Sequence, residues 1–502
     1  MLRPVHALVV AAFTGAAAFT QEVAPVTDIN TGSAGACPSY LTVFDDCVYF
    51  RANDAPNGTN TELWRYDGAE AELAAEICPG PEGSLPSHLF PYQGKLCFSA
   101  SGPDSPPRLW CFDGTEAFLA PGAEQQAQNP EAFIEYGGYL YYRAYRSTIG
   151  IELWRFDGVT QTPIDLFPGS GSSYPQHFIA YNGSLYFNAC AAPMSGTELY
   201  RLDPGGFSVT RATSIRWPDG SSPEHVCLFD GAIYFSAYEP EHGRELWRYE
   251  DGDGASLLKA DIVPGPESSN PSGLTVYRDK LYFCADNGAD GAELWRFDYE
   301  AGEASMVADI NPTPFVPDID PVHHSWPGNF YVYDDILYFA ADDGVHGREL
   351  WCYDGTEARL AADINPGPYG SDPGNFIEFR QALCFTANDG LTGLELFDKK
   401  VYMLIMEAAP PAPFARGDAN ADGRLDLSDA VSILRYLFAG GREPSCVKAA
   451  DLNDDGVLTI ADPISALGYL FGAAAAPPPP FGTCDADPTS DDLSCAAYEP
   501  CR

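Results

Sequence analysis

From residue 27 to residue 406 the apolar residues fall in short runs of four to seven, rich in aromatic and branched side chains and separated by Gly, Asp, Asn and Pro. Such runs predict strands and turns, and no sustained helical period interrupts them. One stretch shows the plan. Leu274 to Tyr277 predicts a first strand and Leu281-Tyr282-Phe283-Cys284 a second. Glu293 to Phe297 predicts a third, and a fourth ends near Val307-Ala308-Asp309-Ile310. Turn formers such as Asp286-Asn287-Gly288 and loops such as Asn365-Pro366-Gly367-Pro368 separate them. Alternation along the third strand puts Leu294 and Arg296 on one face and Trp295 and Phe297 on the other.

The plan repeats. The third strand recurs as Glu62-Leu63-Trp64-Arg65-Tyr66-Asp67, and its equivalents begin at Arg108, Glu152, Glu198, Glu245, Glu293, Glu349 and Glu395. The eight copies have steps of 46, 44, 46, 47, 48, 56 and 46 residues between their leucines. Four short strands at this period read as one propeller blade, which cannot bury its sheet faces alone and must stack on neighbours. The expected fold class is therefore all-β, an eight-bladed β-propeller over residues 27–406. Thr27-Asp28-Ile29 matches the fragment that closes other units, so the N-terminal residues are expected to complete the last blade and close a ring. An open solenoid is the rival arrangement.

The units resemble the ELWxxDGT-repeat family, secreted bacterial proteins for which propeller-like folds are expected. The resemblance covers about three quarters of the chain. Arg108 departs from the repeated Glu, the fourth and eighth units lack the Trp, and the eighth also lacks the segment after Asp398.

The two ends differ from the repeat. Arg3, the apolar stretch Leu8 to Ala18 and the small residues before Gln21 read as a signal peptide over residues 1–20, so the protein is expected to be secreted or extracellular, with cell-surface attachment open. Ten cysteines lie between Cys37 and Cys384, and four lie at Cys446, Cys484, Cys495 and Cys501. The even total permits disulfides in an oxidising compartment, while spacing leaves the connectivity open. Cys97 and Cys111 flank a turn, and a bridge or two separate thiols fit equally.

Residues 407–416 are rich in Pro and Ala and read as a linker. Residues 417–502 change character. Asp418, Asn420, Asp422, the Arg424 carbonyl, Asp426 and Asp429 occupy the 1, 3, 5, 7, 9 and 12 positions of a calcium loop, with Gly423 at the sharp turn. A second copy follows 33 residues later with Asp451, Asn453, Asp455, the Val457 carbonyl, Thr459 and Asp462, turning at Gly456. Asp replaces the usual Glu at position 12, so its reach to the ion is shorter. Each loop leads into an apolar, helix-like segment, Ala430 to Phe438 and Ile464 to Phe471. The expectation is about two bound calcium ions.

This pair resembles a dockerin domain over Arg416 to Gly472, a small α-helical calcium-binding module. The resemblance implies a cohesin-like or other cell-surface protein as partner. Loop positions 10 and 11, often polar in dockerins, are Leu427-Ser428 and Ile460-Ala461 here. The tail from Cys484 to Cys501 looks like that of similar modules, which implies a clamp from Cys446 to one tail cysteine.

The chain carries 28 Lys and Arg against 71 Asp and Glu, a net charge of −43. That balance argues against a nucleic-acid backbone as a partner and fits cations, a basic partner or simple solubility. Residues 407–502 hold 15 acidic and 6 basic residues, or −9, which leaves −34 to residues 1–406. Most of the acidity thus belongs to the propeller. After the signal stretch no run reaches the length of a membrane span.

Catalytic patterns are sparse. The pair His323-His324 sits in the insert that lengthens one repeat, and a surface loop explains it. The glutamates repeated in nearly every unit are more economically structural, pairing with an arginine of the next blade, than catalytic. Repeated Asp/Gly turns such as Asp342-Asp343-Gly344 read as tight turns. These observations lead to the expectation of a secreted, non-enzymatic binding or scaffold protein whose propeller holds an extracellular ligand while the calcium-loaded module attaches to a partner. An enzyme acting on extracellular polysaccharide and a structural cell-surface protein are the alternatives, and polysaccharide is the other partner this reading admits.

Overall fold

The computed structural model describes residues 8–9, 21–27, 29 and 36–484, apart from 55–59, 123–126, 192–195, 207, 252–255, 313–323, 391–398, 407–413, 440–443, 445 and 473, and also residue 493. The signal stretch other than 8–9, most of the linker, His323, the repeated Glu395, Cys495 and Cys501 lie outside the described residues. Two compact units emerge, one holding residues 23–405 and the other residues 406–502.

The larger unit is a β-propeller. Seven four-stranded antiparallel sheets follow one another, each built from consecutive strands. Blade 1 uses Ser39–Phe44, Cys47–Asn53, Thr61–Tyr66 and Ala71–Ala75 from the axis outward. The expected unit around residue 290 is blade 6, with strands Ser272–Tyr277, Lys280–Asp286, Ala292–Asp298 and Glu303–Ala308. The eighth sheet runs Gly374–Phe379, Ala382–Asn388, Lys399–Met406, Gln21–Thr27, with the two-residue strand Leu8–Val9 at its outer edge. The N-terminal strand therefore completes the last blade, as the Thr27-Asp28-Ile29 fragment predicts. The first strand of each blade contacts the first strand of the next, and Ser39–Phe44 contacts Gly374–Phe379. The ring is closed, which excludes the open solenoid.

Apolar packing between blades holds the ring. Phe229, Tyr234 and Leu246 of blade 5 form one core with Leu281, Phe283, Trp295 and Phe297 of blade 6. Across the closure, Phe379 and Cys384 of blade 8 pack with Val48, Phe50 and Tyr66 of blade 1. Both faces of the third strand are used, because each blade is covered on both sides: Leu294, Trp295 and Phe297 are all buried. A polar staple repeats beside this packing. The tyrosine that ends a first strand donates its hydroxyl to a carbonyl in the following blade's first hairpin. Tyr92 reaches Gly138, Tyr136 reaches Gly183, Tyr181 reaches Gly231 and Tyr277 reaches Asp335, at 2.5–2.9 Å.

The smaller unit holds helices α1 (Leu427–Ala439), α2 (Val447–Ala450) and α3 (Ala461–Leu470). Its core joins Ala430 and Ile433 of α1, Ala450 and Leu452, and Ala466 of α3. No helix among the described residues is long and apolar enough to cross a membrane.

Candidate metal centre

Each predicted calcium loop leads into a helix, and the two loops share one hydrogen-bond scheme. In the first, the Asp418 carboxylate accepts from the Asp422 and Gly423 N–H groups at 2.9 and 2.7 Å. In the second, Asp451 accepts from Asp454 and Gly456 at 3.0 and 2.9 Å. Position 12 closes both rings. Asp429 accepts from Asn420 N and Asp426 N, and Asp462 accepts from Leu452 N and Thr459 N. Asn420 Oδ1 receives Asp422 N, Asp422 Oδ1 receives Arg424 N, and Asn453 and Asp455 do the same for Asp455 N and Val457 N. Asp426 accepts from Ser428, while the Thr459 hydroxyl accepts from Ala461 N. Gly423 and Gly456, at φ 84° and 77°, make the sharp turns in a region where a side chain would strain the backbone.

These contacts sit on buried charge. Asp418, Asp429, Asp451 and Asp462 are at most 3% exposed. Burial pushes the Asp429 carboxyl up to about 6, and the charges of Asp418 and Asp422 add to the rise. Burial likewise raises Asp462, which also faces the carboxylate of Asp451. Among the described residues no three His, Cys, Asp or Glu side chains converge as a preformed metal cluster, and the loop carboxylates accept from backbone N–H groups. The donor set still fits a hard cation. It offers carboxylate, amide and hydroxyl oxygens in two equivalent frames, with no sulfur or imidazole in either loop.

Arg416 was not singled out by sequence pattern. It is 1% exposed, donates from Nη1 to the Asp451 carbonyl at 2.7 Å and pairs from Nη2 with Asp454 at 2.9 Å. Phe414 beside it is buried against Cys446 and Ala449. Both residues belong to this unit's core, though the surrounding Pro and Ala mask them as linker. A large aromatic next to a cation in such a stretch is the signal that finds them. Cys446 and Cys484 are each disulfide-bonded. Cys97 and Cys111 are not bridged, and their sulfurs lie 2.9 Å apart on paired strands.

The other sequence candidates resolve into structure. Glu62, Glu152, Glu198, Glu245, Glu293 and Glu349 are fully buried. They do not pair with a neighbouring arginine as expected. Each receives backbone N–H and hydroxyl groups from the loop that crosses to the next blade: Glu293 takes Ile310 N, Ser325 N and Ser325 Oγ at 2.8, 3.0 and 2.6 Å. Neutral donors from one's own loop satisfy a buried carboxylate without desolvating a second ion. His324 accepts from Ala292 N at 2.7 Å and stacks on Trp326, so it too is a structural group. In the Asp342-Asp343-Gly344 turn, the two aspartates accept from the N–H groups of Gly344, Val345 and His346.

No model of a protein family matches the chain, and no curated protein matches it. Solved structures are similar to it. A puromycin hydrolase aligns over 72% of this chain at 13% identity and a TM-score of 0.41. The dipeptidyl peptidase 4 of Porphyromonas gingivalis aligns over 70% at 9% identity and a TM-score of 0.47. The chain spans 60% and 56% of the lengths of those two proteins. The β-propeller domain of the Trilobed protease from Pyrococcus furiosus is covered over 99% of its length by 66% of this chain, at 13% identity and a TM-score of 0.41. At such values none of them assigns a reaction or substrate to this chain. They do correct one expectation. These similar structures carry the names of enzymes, against the expected non-enzymatic scaffold.

Proposed function

We propose that the smaller unit is a dockerin-like calcium module that attaches an exported propeller protein to a protein partner. The duplicated loop carries the reading: two acidic frames with the same scheme hold four buried carboxylates, an arrangement that costs free energy until a cation shares their charge. Asp418, Asn420, Asp422, the Arg424 carbonyl, Asp426 and Asp429 would hold one ion. Asp451, Asn453, Asp455, the Val457 carbonyl, Thr459 and Asp462 would hold the other. Calcium supplies charge neutralisation there and fixes each loop to its helix.

Attachment draws support from the helix surfaces. Leu427, Val431 and Phe438 lie exposed along α1, and Ile460, Ile464 and Phe471 repeat that spacing at α3. Phe438 is 68% exposed and Phe471 76%, unusual for side chains of this size. Leu427 and Ile460 occupy loop position 10, so recognition would be apolar where related modules use polar groups. Export draws support from Arg3, the apolar stretch after it and the two disulfide-bonded cysteines.

Calorimetry of calcium binding to the full chain tests the proposal. Two ions are expected for the wild type and one each for Asp418→Ala and Asp451→Ala. Phe438→Asp should keep both ions and lose calcium-dependent retention on isolated cell-surface protein. Absence of calcium heat, or unchanged stoichiometry in both loop variants, defeats the metal assignment. Retention that ignores calcium and Phe438 defeats the attachment.

A further inference from the structure

The innermost strands carry a feature that the repeat hides. Each pairs with its neighbour through a register shift at the same place, near its start. In blade 1, Ser39 faces Arg51 and Thr42 faces Tyr49, so three steps on one strand match two on the other. Blades 2 to 8 show the same shift. This is a β-bulge, which re-aims a side chain. The residue at the bulge has a left-handed backbone in every blade: Tyr40, His88, Ala132, His177, His225, Gly273, Asn329 and Asn375, with φ of 53–68°. The glutamate-anchored loop recurs in six of the blades, whereas the bulge position holds Tyr, His, Ala, Gly or Asn.

The bulge side chains meet around the axis. The Tyr40 and His88 rings are 5.1 Å apart, His88 is 6.5 Å from Phe133 and His177 is 6.2 Å from His225. Tyr40 N donates to Asn375 Oδ1 at 3.3 Å across the closure. Equivalent residues of adjacent blades can touch this way only near the axis, since blades splay apart outward. The bulges therefore line one mouth of the axial channel. His88 and His177 are half-buried and His225 is exposed, and no imidazole nitrogen of the three has a hydrogen-bond partner among the described residues. Burial lowers His88 and His177 below the usual histidine range, which favours the neutral imidazole with one N–H to offer.

Arginines surround this mouth. Arg143 is bound to Glu131 and to Gln176 Oε1, the latter at 3.0 Å, and Arg244 lies 3.6 Å from Glu224. Arg51 differs. Its Nε donates to Ser39 Oγ at 2.9 Å, its guanidinium lies 5.0 Å from the Tyr40 ring centroid, and no carboxylate pairs with it among the described residues. In a chain of net charge −43, a half-buried guanidinium with no carboxylate partner among the described residues is a local reversal of sign.

We propose that this mouth binds a small oxyanion-bearing ligand, with Arg51 supplying the charge and His88, and beyond it His177 and His225, the hydrogen bonds. Carboxylate, sulfate and phosphate share the chemistry that a guanidinium recognises. Its residues all belong to the larger unit.

Titration of the full, calcium-loaded chain with sulfate, phosphate and glucuronate, read by calorimetry and by imidazole NMR signals, tests this. At least one probe is expected to saturate and to shift the His88 signal, and the probe that does so identifies the source of the oxyanion. Arg51→Gln should weaken that probe about tenfold or more, near 1.4 kcal/mol. His88→Gln gives a second test that leaves Arg51 in place, with thermal unfolding as the folding control for both. Failure of all three probes to saturate overturns the proposal. So does saturation that neither variant weakens.

Discussion

A carboxylate buried once per blade behaves differently from one on the surface. Three donors hold Glu293, yet burial outweighs them and pushes its carboxyl up to about 7, as it does for Glu152 and Glu349. The site can house the proton. Ser325 Oγ lies 3.3 Å from the Ala292 carbonyl and can turn its hydrogen there, leaving a lone pair for a protonated Glu293. The sign follows from proton binding. The folded chain holds these protons up to about pH 7, whereas an unfolded glutamate releases them near 4.5. Stability from this source is full below the unfolded value and is lost as pH rises to about 7. Glu293→Gln does not titrate, so the gap between its unfolding temperature and the wild type's should narrow from pH 5 to pH 8. Scanning calorimetry at fixed calcium reads this, and parallel curves would show that the donors keep the group ionised throughout.

At the scale of the element, glycines mark where one segment presses on another. Gly150 begins a third strand at φ 77°, and a Cβ there would lie 1.8 Å from the Gly171 carbonyl oxygen in the crossing loop. Gly183 sits in a hairpin at φ 69° with nothing within 4 Å. Gly183→Ala should cost about 1 kcal/mol, the strain of the left-handed backbone alone. Gly150→Ala adds a backbone collision and should cost about 3 kcal/mol or more. Denaturant unfolding separates the two, and equal costs would mean that the loop gives way freely. Elements were also the most legible level of the sequence. Leu281-Tyr282-Phe283-Cys284 and the Glu293-Leu294-Trp295 run declare strands because apolar alternation and turn formers repeat eight times. The two loops at Asp418 and Asp451 declare themselves because the same spacing of acidic and amide residues around a glycine occurs twice, 33 residues apart. The channel mouth was not legible. Tyr40, His88 and His177 are far apart in sequence and sit in no common motif, and only the bulge and ring closure bring their positions together. Arg416 escaped for a related reason, since its partners at Asp451 and Asp454 lie a full loop away.

For the whole molecule, closure depends on Gln21–Thr27 lying beside Lys399–Met406. Deleting residues 21–27 should leave that strand with an open edge, lower the unfolding temperature and promote concentration-dependent association. Calorimetry and light scattering over a dilution series check both effects, and a monomer with unchanged unfolding would show that the closing strand is dispensable.

The same closure has a consequence for how the chain is written. Once the last blade borrows its outer strand from the first residues, no blade is intrinsically first, and the apparent beginning of the ring is a convention of the gene. Joining the two ends of the propeller and opening a hairpin elsewhere, for instance between Asn182 and Gly183, would give a rotated sequence that keeps the inter-blade contacts except at the new break. The ring specifies a cyclic order of blades, while the position of the cut is free to vary.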